Sequence, residues 1–177
     1  MLELVVDALW LMLPAYVSNC SAVLFAGKTP VDFGKTFIDG KRIFGPGKTL
    51  RGLIGGTLIG IFVGVLLQLT EKSLHIGLPS FDPIYVIVTL SFGAMLGDLV
   101  ESFFKRRIGL SRGRPLPLAD QLDFVAGAWV LTYIFFPAWF VQNFTLAVIL
   151  IVLVLSPLIH LAVNLVGYKL GKKQEPW

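Results

Sequence analysis

The stretch FVAGAWVLTYIFFPAWFVQNFTLAVILIVLVLSPLIHLAVNLVGY, residues 124–168, carries no charged side chain. As a single helix its 45 residues would run about 68 Å at about 1.5 Å per residue. A bilayer's hydrocarbon core is only about 30 Å thick. The stretch therefore reads as two membrane spans, broken between Phe136 and Asn143 by a short loop where Pro137, Gln142 and Asn143 interrupt the apolar run. Trp139 falls at that break, where an indole suits the headgroup level.

Outward from there, residues 8–27 and 52–70 are uncharged and close to the length of about 20 residues that a span needs. A third segment starts near Pro83, stays uncharged to Gly97, and reaches full length only with another turn or two. The expectation is an all-α integral membrane protein of five transmembrane helices, roughly 5–27, 50–70, 82–104, 121–138 and 143–168, with residues 1–177 forming one transmembrane catalytic domain. Composition agrees, at 55% apolar and 15% charged residues, with no polar tract long enough for a separate soluble domain. Fourteen of the fifteen Lys and Arg residues fall after spans one, three and five, and Lys72 alone falls on the other side. Cytoplasmic loops concentrate Lys and Arg, so the amino terminus is expected outside and the carboxyl terminus inside. The net charge of +4 then reflects topology, and no nucleic-acid partner is expected. MLELVVD is acidic where a signal peptide would be basic, so it reads as retained structure. A single Cys20, placed inside the first span, excludes an intrachain disulfide framework.

Two stripes stand out within the spans. Gly52, Gly56, Gly60 and Gly64 recur every fourth residue and form one line along which another helix can approach closely. Ser156, His160, Asn164 and Tyr168 repeat likewise and call for interhelical hydrogen bonds or a wet cavity.

The chemistry concentrates in GDLVESFFKRRIGLSRGRPLPLADQLDFVAG, residues 97–127. Asp98 and Glu101 close the third span, and Asp120 and Asp123 open the fourth. Each pair is three apart, on one helix face, and antiparallel neighbours joined by a short loop bring the pairs together near the cytoplasmic interface. Four anions there repel one another and require cations. Internal counter-ions are the bland reading, with Lys105, Arg106, Arg107, Arg112 and Arg114 at hand. All-oxygen ligands without a Cys or His cluster suit a hard divalent ion, Mg2+ first and zinc last. Acids with a basic rim fit a metal polyphosphate.

The first inside loop, DGKRIFGPGKTLRG at 39–52, is not a Walker loop, because Arg42 stands where glycine is needed and no strand precedes it. It still offers phosphate contacts: backbone amides at Gly45 and Gly47, charge from Lys48 and Arg51, the Thr49 hydroxyl, and the positive end of the second span. A plain interfacial loop would use similar residues.

GDLVESFFKR with PLPLADQLDF resembles the signature of membrane CTP-dependent cytidylyltransferases of the phosphatidate cytidylyltransferase superfamily. PAYVSNCSAVLFAG, DFGKTFIDGKRIFGPGKTLRG and HLAVNLVGYKLGKKQEPW extend the likeness to its short archaeal branch over nearly the whole chain. The resemblance implies that the phosphate of an isoprenoid ether lipid attacks the α-phosphorus of CTP, giving a CDP-activated lipid and pyrophosphate. It implies Mg2+ on Asp98, Glu101, Asp120 and Asp123, with phosphate charge met by Lys105 and Arg106. The nucleotide would be held by Gly45, Gly47, Lys48, Thr49 and Arg51. Lys28 and Lys35, at the membrane surface, would draw in the lipid phosphate, or merely snorkel. The expected partners are CTP, a membrane lipid phosphate and the bilayer, in the cell membrane with the site on the cytoplasmic side; a homodimer stays open. The rivals are a CTP-dependent polyprenol or diacylglycerol kinase, which would release CDP, and a divalent-cation transporter. Transporters place sites near the midplane and often show internal repeats; here the acids sit at one interface with a basic rim.

Overall fold

The computed structural model describes residues 1–111, 113–169 and 171. Arg112, Lys172 and Lys173 of the charge pattern, with Leu170 and the end of the carboxyl-terminal stretch, lie outside the described residues. Among the described residues six helices follow in chain order: α1 (Leu2–Ser21), α2 (Leu50–Leu74), α3 (Tyr85–Arg107), α4 (Ala119–Phe135), α5 (Pro137–Asn143) and α6 (Leu146–Lys169). Beyond them the described residues hold two isolated β-bridges, Pro30 with Thr49 and Thr36 with Arg42.

The chain is all-α, and α1, α2, α3 and α6 are each long and apolar enough to cross a membrane. Ile54, Leu58 and Phe62 on α2 and Val154, Leu158 and Leu161 on α6 are exposed. Apolar surface on this scale needs lipid around it. With 17 residues, α4 reaches about 25 Å at about 1.5 Å per residue. It stops where Pro137 lacks an N–H and disfavours helical backbone at Phe136, which has φ −136° and ψ 59°.

Several local expectations give way. α1 ends at Ser21, and 22–25 run on as turns, with Leu24 N–H bonded to Ser21 O and Ala26 N–H to Val23 O. The break at 136–143 is the short helix α5 and not a loop, since Pro137 is well suited to a helix's first position. Trp139 is buried: it stacks on Phe81 with centroids 6.1 Å apart and donates its indole N–H to Ser80 O at 2.9 Å. Cys20 lies on the exposed side of α1.

The glycine stripe behaves as expected. Gly52, Gly56, Gly60 and Gly64 are all buried. A Cβ at Gly56 would lie 2.7 Å from Ser18 O and 3.1 Å from Met95 Sδ, and one at Gly60 would lie 2.6 Å from Pro14 O. α2 thus lies in the groove between α1 and α3. A second set spans two helices and shows only one four-residue step, from Gly93 to Gly97. Gly93 and Gly97 of α3 meet Gly127 of α4 backbone to backbone, and a Cβ at Gly97 would overlap the Asp123 carbonyl. This contact fixes the acids, because Gly97 adjoins Asp98 and its neighbour across the crossing is Asp123 itself.

Replacing Gly127 with Leu is expected to force α3 and α4 apart, since overpacking alone costs about 1–3 kcal/mol. The detergent-solubilised variant should melt well below the wild type, whereas Val130→Leu on the exposed face of the same helix should leave the melting temperature unchanged.

Candidate active site

The α3–α4 crossing and the loop at 44–49 enclose, with the ends of α1 and α6, a cavity of about 1040 Å3. Asp98, Glu101, Asp120 and Asp123 all line it, and so do Lys105, Arg106, Gly45, Gly47, Lys48 and Thr49. The two acidic pairs therefore meet in one space, together with most of the expected phosphate-binding residues.

Within that space two ammonium groups stand among the acids. Lys48 Nζ lies 2.6 Å from each Asp98 oxygen. Lys105 Nζ lies 2.9 Å from Glu101 Oε1 and 2.6 Å from Asp120 Oδ1, so these two oxygens are at most 5.5 Å apart. Both are buried, and what meets them is the Lys105 ammonium and the other carboxyl of the pair. Asp123 Oδ1 accepts from Phe124 N–H at 2.5 Å. Among the described residues no three acidic or histidine side chains converge closely enough to hold one ion in this conformation.

Lys48 is carried by a loop with a buried carboxylate at its centre. Asp32, 4% exposed, accepts from the amides of Gly34 at 3.1 Å, Phe44 at 3.1 Å and Gly45 at 2.9 Å, and from Arg42 Nε at 3.2 Å. Burial would raise its pKa; the Arg42 bond and the Gly45, Phe44 and Gly34 amides reverse that and hold it well below the usual carboxylate range. Lys48 shows the same balance with the sign of the shift reversed. Burial works against its ammonium, but the Asp98 charge, with Asp123 and Glu101 behind it, holds the pKa above the ordinary lysine value.

These bonds revise how the loop offers itself to phosphate. The Gly45 amide is engaged by Asp32 and is not open. Gly45 contributes instead by its backbone: at φ +99° its bare Cα leaves the Arg106 guanidinium only 3.6 Å from where a Cβ would stand. Thr49 Oγ1 caps α2 by accepting from Gly52 N–H at 3.2 Å, and also holds Gly27 N–H at 3.1 Å. The loop leaves three expected residues apart from the cavity. Lys28 and Lys35 are exposed, and Arg51 is exposed with its stem lying against Gly27. On α6 the polar stripe divides its roles. Ser156 pairs with the Tyr16 hydroxyl at 2.8 Å, His160 and Asn164 line the cavity, and Tyr168 is exposed.

Asp32 is the residue that sequence reasoning missed. Its one local signal is an acid two positions before a glycine, the pattern of an Asx turn, which Gly34 N–H completes.

An all-helical membrane bundle with a cavity of carboxylates, ammonium groups and a guanidinium defines a multi-pass membrane enzyme acting on charged substrates. The sequence matches the family described as CarS-like, CDP-archaeol synthase, over residues 1–177. It is 49% identical over 175 residues to a CDP-archaeol synthase of Methanosarcina barkeri, covering 94% of this chain and all of the relative. One from Methanocella arvoryzae is 51% identical over 174 residues, with the same coverage. A solved structure described as an intramembrane enzyme for archaeal membrane lipid biosynthesis aligns with a TM-score of 0.75 at 36% identity, over 90% of this chain and 94% of that one. The chain belongs to the CDP-archaeol synthase family.

Asp32→Asn should loosen the loop by about 1.5–3 kcal/mol for each charge-assisted bond lost. Because the folded pKa is depressed, the wild-type carboxylate's contribution is complete above the usual carboxylate range and is lost only as pH falls through the folded value. Protease cleavage in 28–49 should therefore be faster in Asp32→Asn from pH 5 to 8, with wild-type resistance unchanged across that interval.

Proposed function

We propose that the cavity is where CMP passes from CTP to an isoprenoid ether lipid phosphate, giving CDP-archaeol-type lipid and pyrophosphate. One observation carries this placement: the four acids and the phosphate-suited Lys48, Lys105 and Arg106 face the same space. Family membership supplies the reaction class, a CTP-dependent cytidylyltransferase of membrane lipid synthesis.

The donor set suits a hard divalent ion. It is all oxygen, Glu101 and Asp120 each hold a buried oxygen on the Lys105 ammonium, and those two oxygens lie within 5.5 Å. The four do not converge as they stand, so Asp98, Glu101, Asp120 and Asp123 would draw together to hold Mg2+, which supplies charge neutralisation to the triphosphate when bound. Lys48 and Lys105 then turn from carboxylate to phosphate, and Arg106, beside Gly45, holds the remainder of the chain of phosphates. The attacking lipid phosphate, with a second pKa of about 6, is largely dianionic at neutral pH and needs no protein base. An oxygen of that phosphate bonds to the α-phosphorus of CTP, the α–β bridging bond breaks, and pyrophosphate leaves with the electron pair. The residues work by orienting two anions that repel each other and by stabilising the charge that develops.

For the whole chain, 1–177, the proposed unit is one transmembrane catalytic domain with α4 as the fourth of five spans. The amino terminus is outside, and the carboxyl terminus and cavity mouth are cytoplasmic. The positive-inside distribution supports this orientation. Lys28 and Lys35 stay in the proposal as surface residues that attract the lipid phosphate, and Arg51, in the first turn of α2, as a group that reaches the nucleotide only if its side chain swings off Gly27.

Asp98→Asn and Asp123→Asn should each abolish CTP- and Mg2+-dependent lipid product while the protein still inserts. Incubation with each nucleoside triphosphate and a panel of lipid phosphates should release pyrophosphate with CTP; release of CDP instead would mark a kinase. Full activity in either variant would remove the metal assignment.

A further inference from the structure

Arg107, the last residue of α3, stands outside the cavity yet grips the loop that supplies Lys48. Its guanidinium donates to Asp39 Oδ1 at 2.9 Å, to Lys41 O at 3.3 Å and, in a short contact, to Arg42 O. It lies 5.0 Å from the Phe37 ring centroid and 4.7 Å from that of Phe103, so loop and helix each contribute one aromatic wall. Lys41 Nζ returns a hydrogen bond to Arg107 O at 2.7 Å, placing a cation on the carboxyl end of α3.

From this grip the bonds run on without a gap. Arg42, whose carbonyl Arg107 holds, sends its side chain to Asp32; Asp32 takes the amides of Phe44 and Gly45; Lys48 follows three residues later, on Asp98. Asp98 and Arg107 are nine residues apart on one helix, about 13 Å at about 1.5 Å per residue. The loop is thus fastened to α3 at two levels. The inner fastening is itself a substrate-binding group, and incoming CTP must draw Lys48 off Asp98. The outer one touches no substrate.

We infer that Arg107 is a positioning residue for nucleotide binding: it keeps loop 28–49 seated while Lys48 exchanges Asp98 for a phosphate of CTP. The inference rests on the reading in the preceding subsection. Without Arg107 the loop must be ordered by CTP itself, and that ordering is subtracted from binding.

The test is steady-state kinetics of the full chain in detergent, with CTP varied at saturating lipid phosphate. Arg107→Gln should raise KM for CTP about tenfold, leave kcat within about twofold once CTP saturates, and leave KM for the lipid phosphate unchanged. Arg107→Lys should not rescue it, because an ammonium lacks the planar fork that reaches three oxygens at once. An unchanged KM for CTP in Arg107→Gln, or a wild-type KM in Arg107→Lys, would overturn the inference. So would a kcat that falls along with the melting temperature and is not recovered at high CTP, the mark of a purely structural role. Should Arg107→Gln fail to accumulate, Phe37→Ala removes the loop-side wall of the same grip; it should raise KM for CTP, and an unchanged KM would be equally fatal. A wild-type chain with no CTP-dependent product would instead overturn the cytidylyltransferase reading, and this inference with it.

Discussion

The Lys105 ammonium between Glu101 and Asp120, and the Lys48 ammonium on Asp98, are the contacts on which the rest of the structure depends. A carboxylate carried into the middle of a membrane helix costs about 2.5–3.5 kcal/mol on insertion scales, less toward the interface. Four together would be worse, since each raises the cost of ionising the next. Placing them at the end of α3 and the start of α4 moves them toward water, and the two lysines offset part of what remains. Lys105 comes from the same helix as Glu101, one turn on, and needs no outside help. Lys48 does not, and that requirement is what brings loop 28–49 over the end of the bundle.

Glycine sets how closely the charged groups meet. At the α3–α4 crossing, Gly97 leaves no room between Asp98 and the Asp123 backbone, so the first member of one acidic pair is locked against the second member of the other. On α2 the four-residue stripe seats the helix against α1 and α3, which fixes its first turn and the capping Thr49 just before it. Lys48 precedes that cap by one residue. Two sets of backbone contacts, one on each side of α3, therefore place the inner lysine and the acids it must balance. The loop's own bonds, centred on Asp32, decide the path between.

Much of this was legible before any coordinates. Charge-free runs of spanning length marked the long helices because the bilayer admits little else, and the glycine stripe on α2 showed because all four members lie on one helix at one period. The acidic pairs declared themselves through spacing on successive spans. The α3–α4 neighbourhood followed from the short loop between them, but the glycine contact did not: Gly93 and Gly97 are a single four-residue step on α3, and nothing in the sequence pairs them with Gly127 until the helices are docked. The loop was least legible. Whether Gly45 presents its amide or Thr49 its hydroxyl depends on competing partners, and those partners, Asp32, Gly27 and Gly52, are set by tertiary folding. For the same reason Lys28, Lys35 and Arg51, credible by charge and position, lie apart from the cavity: sequence places a basic residue in a loop but not the side of the loop it faces.

Charge in the cavity also bears on how the substrates would arrive. Its described lining holds four acidic and three basic side chains, a net charge of −1 with every group ionised. Such a site gives a bare nucleoside triphosphate little reason to enter, despite the lysines, because each lysine is already held by an acid. On the proposed reading, a divalent ion held by Asp98, Glu101, Asp120 and Asp123 would neutralise the carboxylates, free Lys48 and Lys105 from them and leave a net positive pocket. On the proposed reading the nucleotide and its ion therefore belong together at entry, and the lysines act twice, first as counter-ions that let the acids exist at the membrane and then as ligands for the phosphates that displace them. A loop that must let go of one partner to take another works only if something else keeps it in place. That is why a second fastening, beyond the reach of the substrates, follows from the electrostatics of the first.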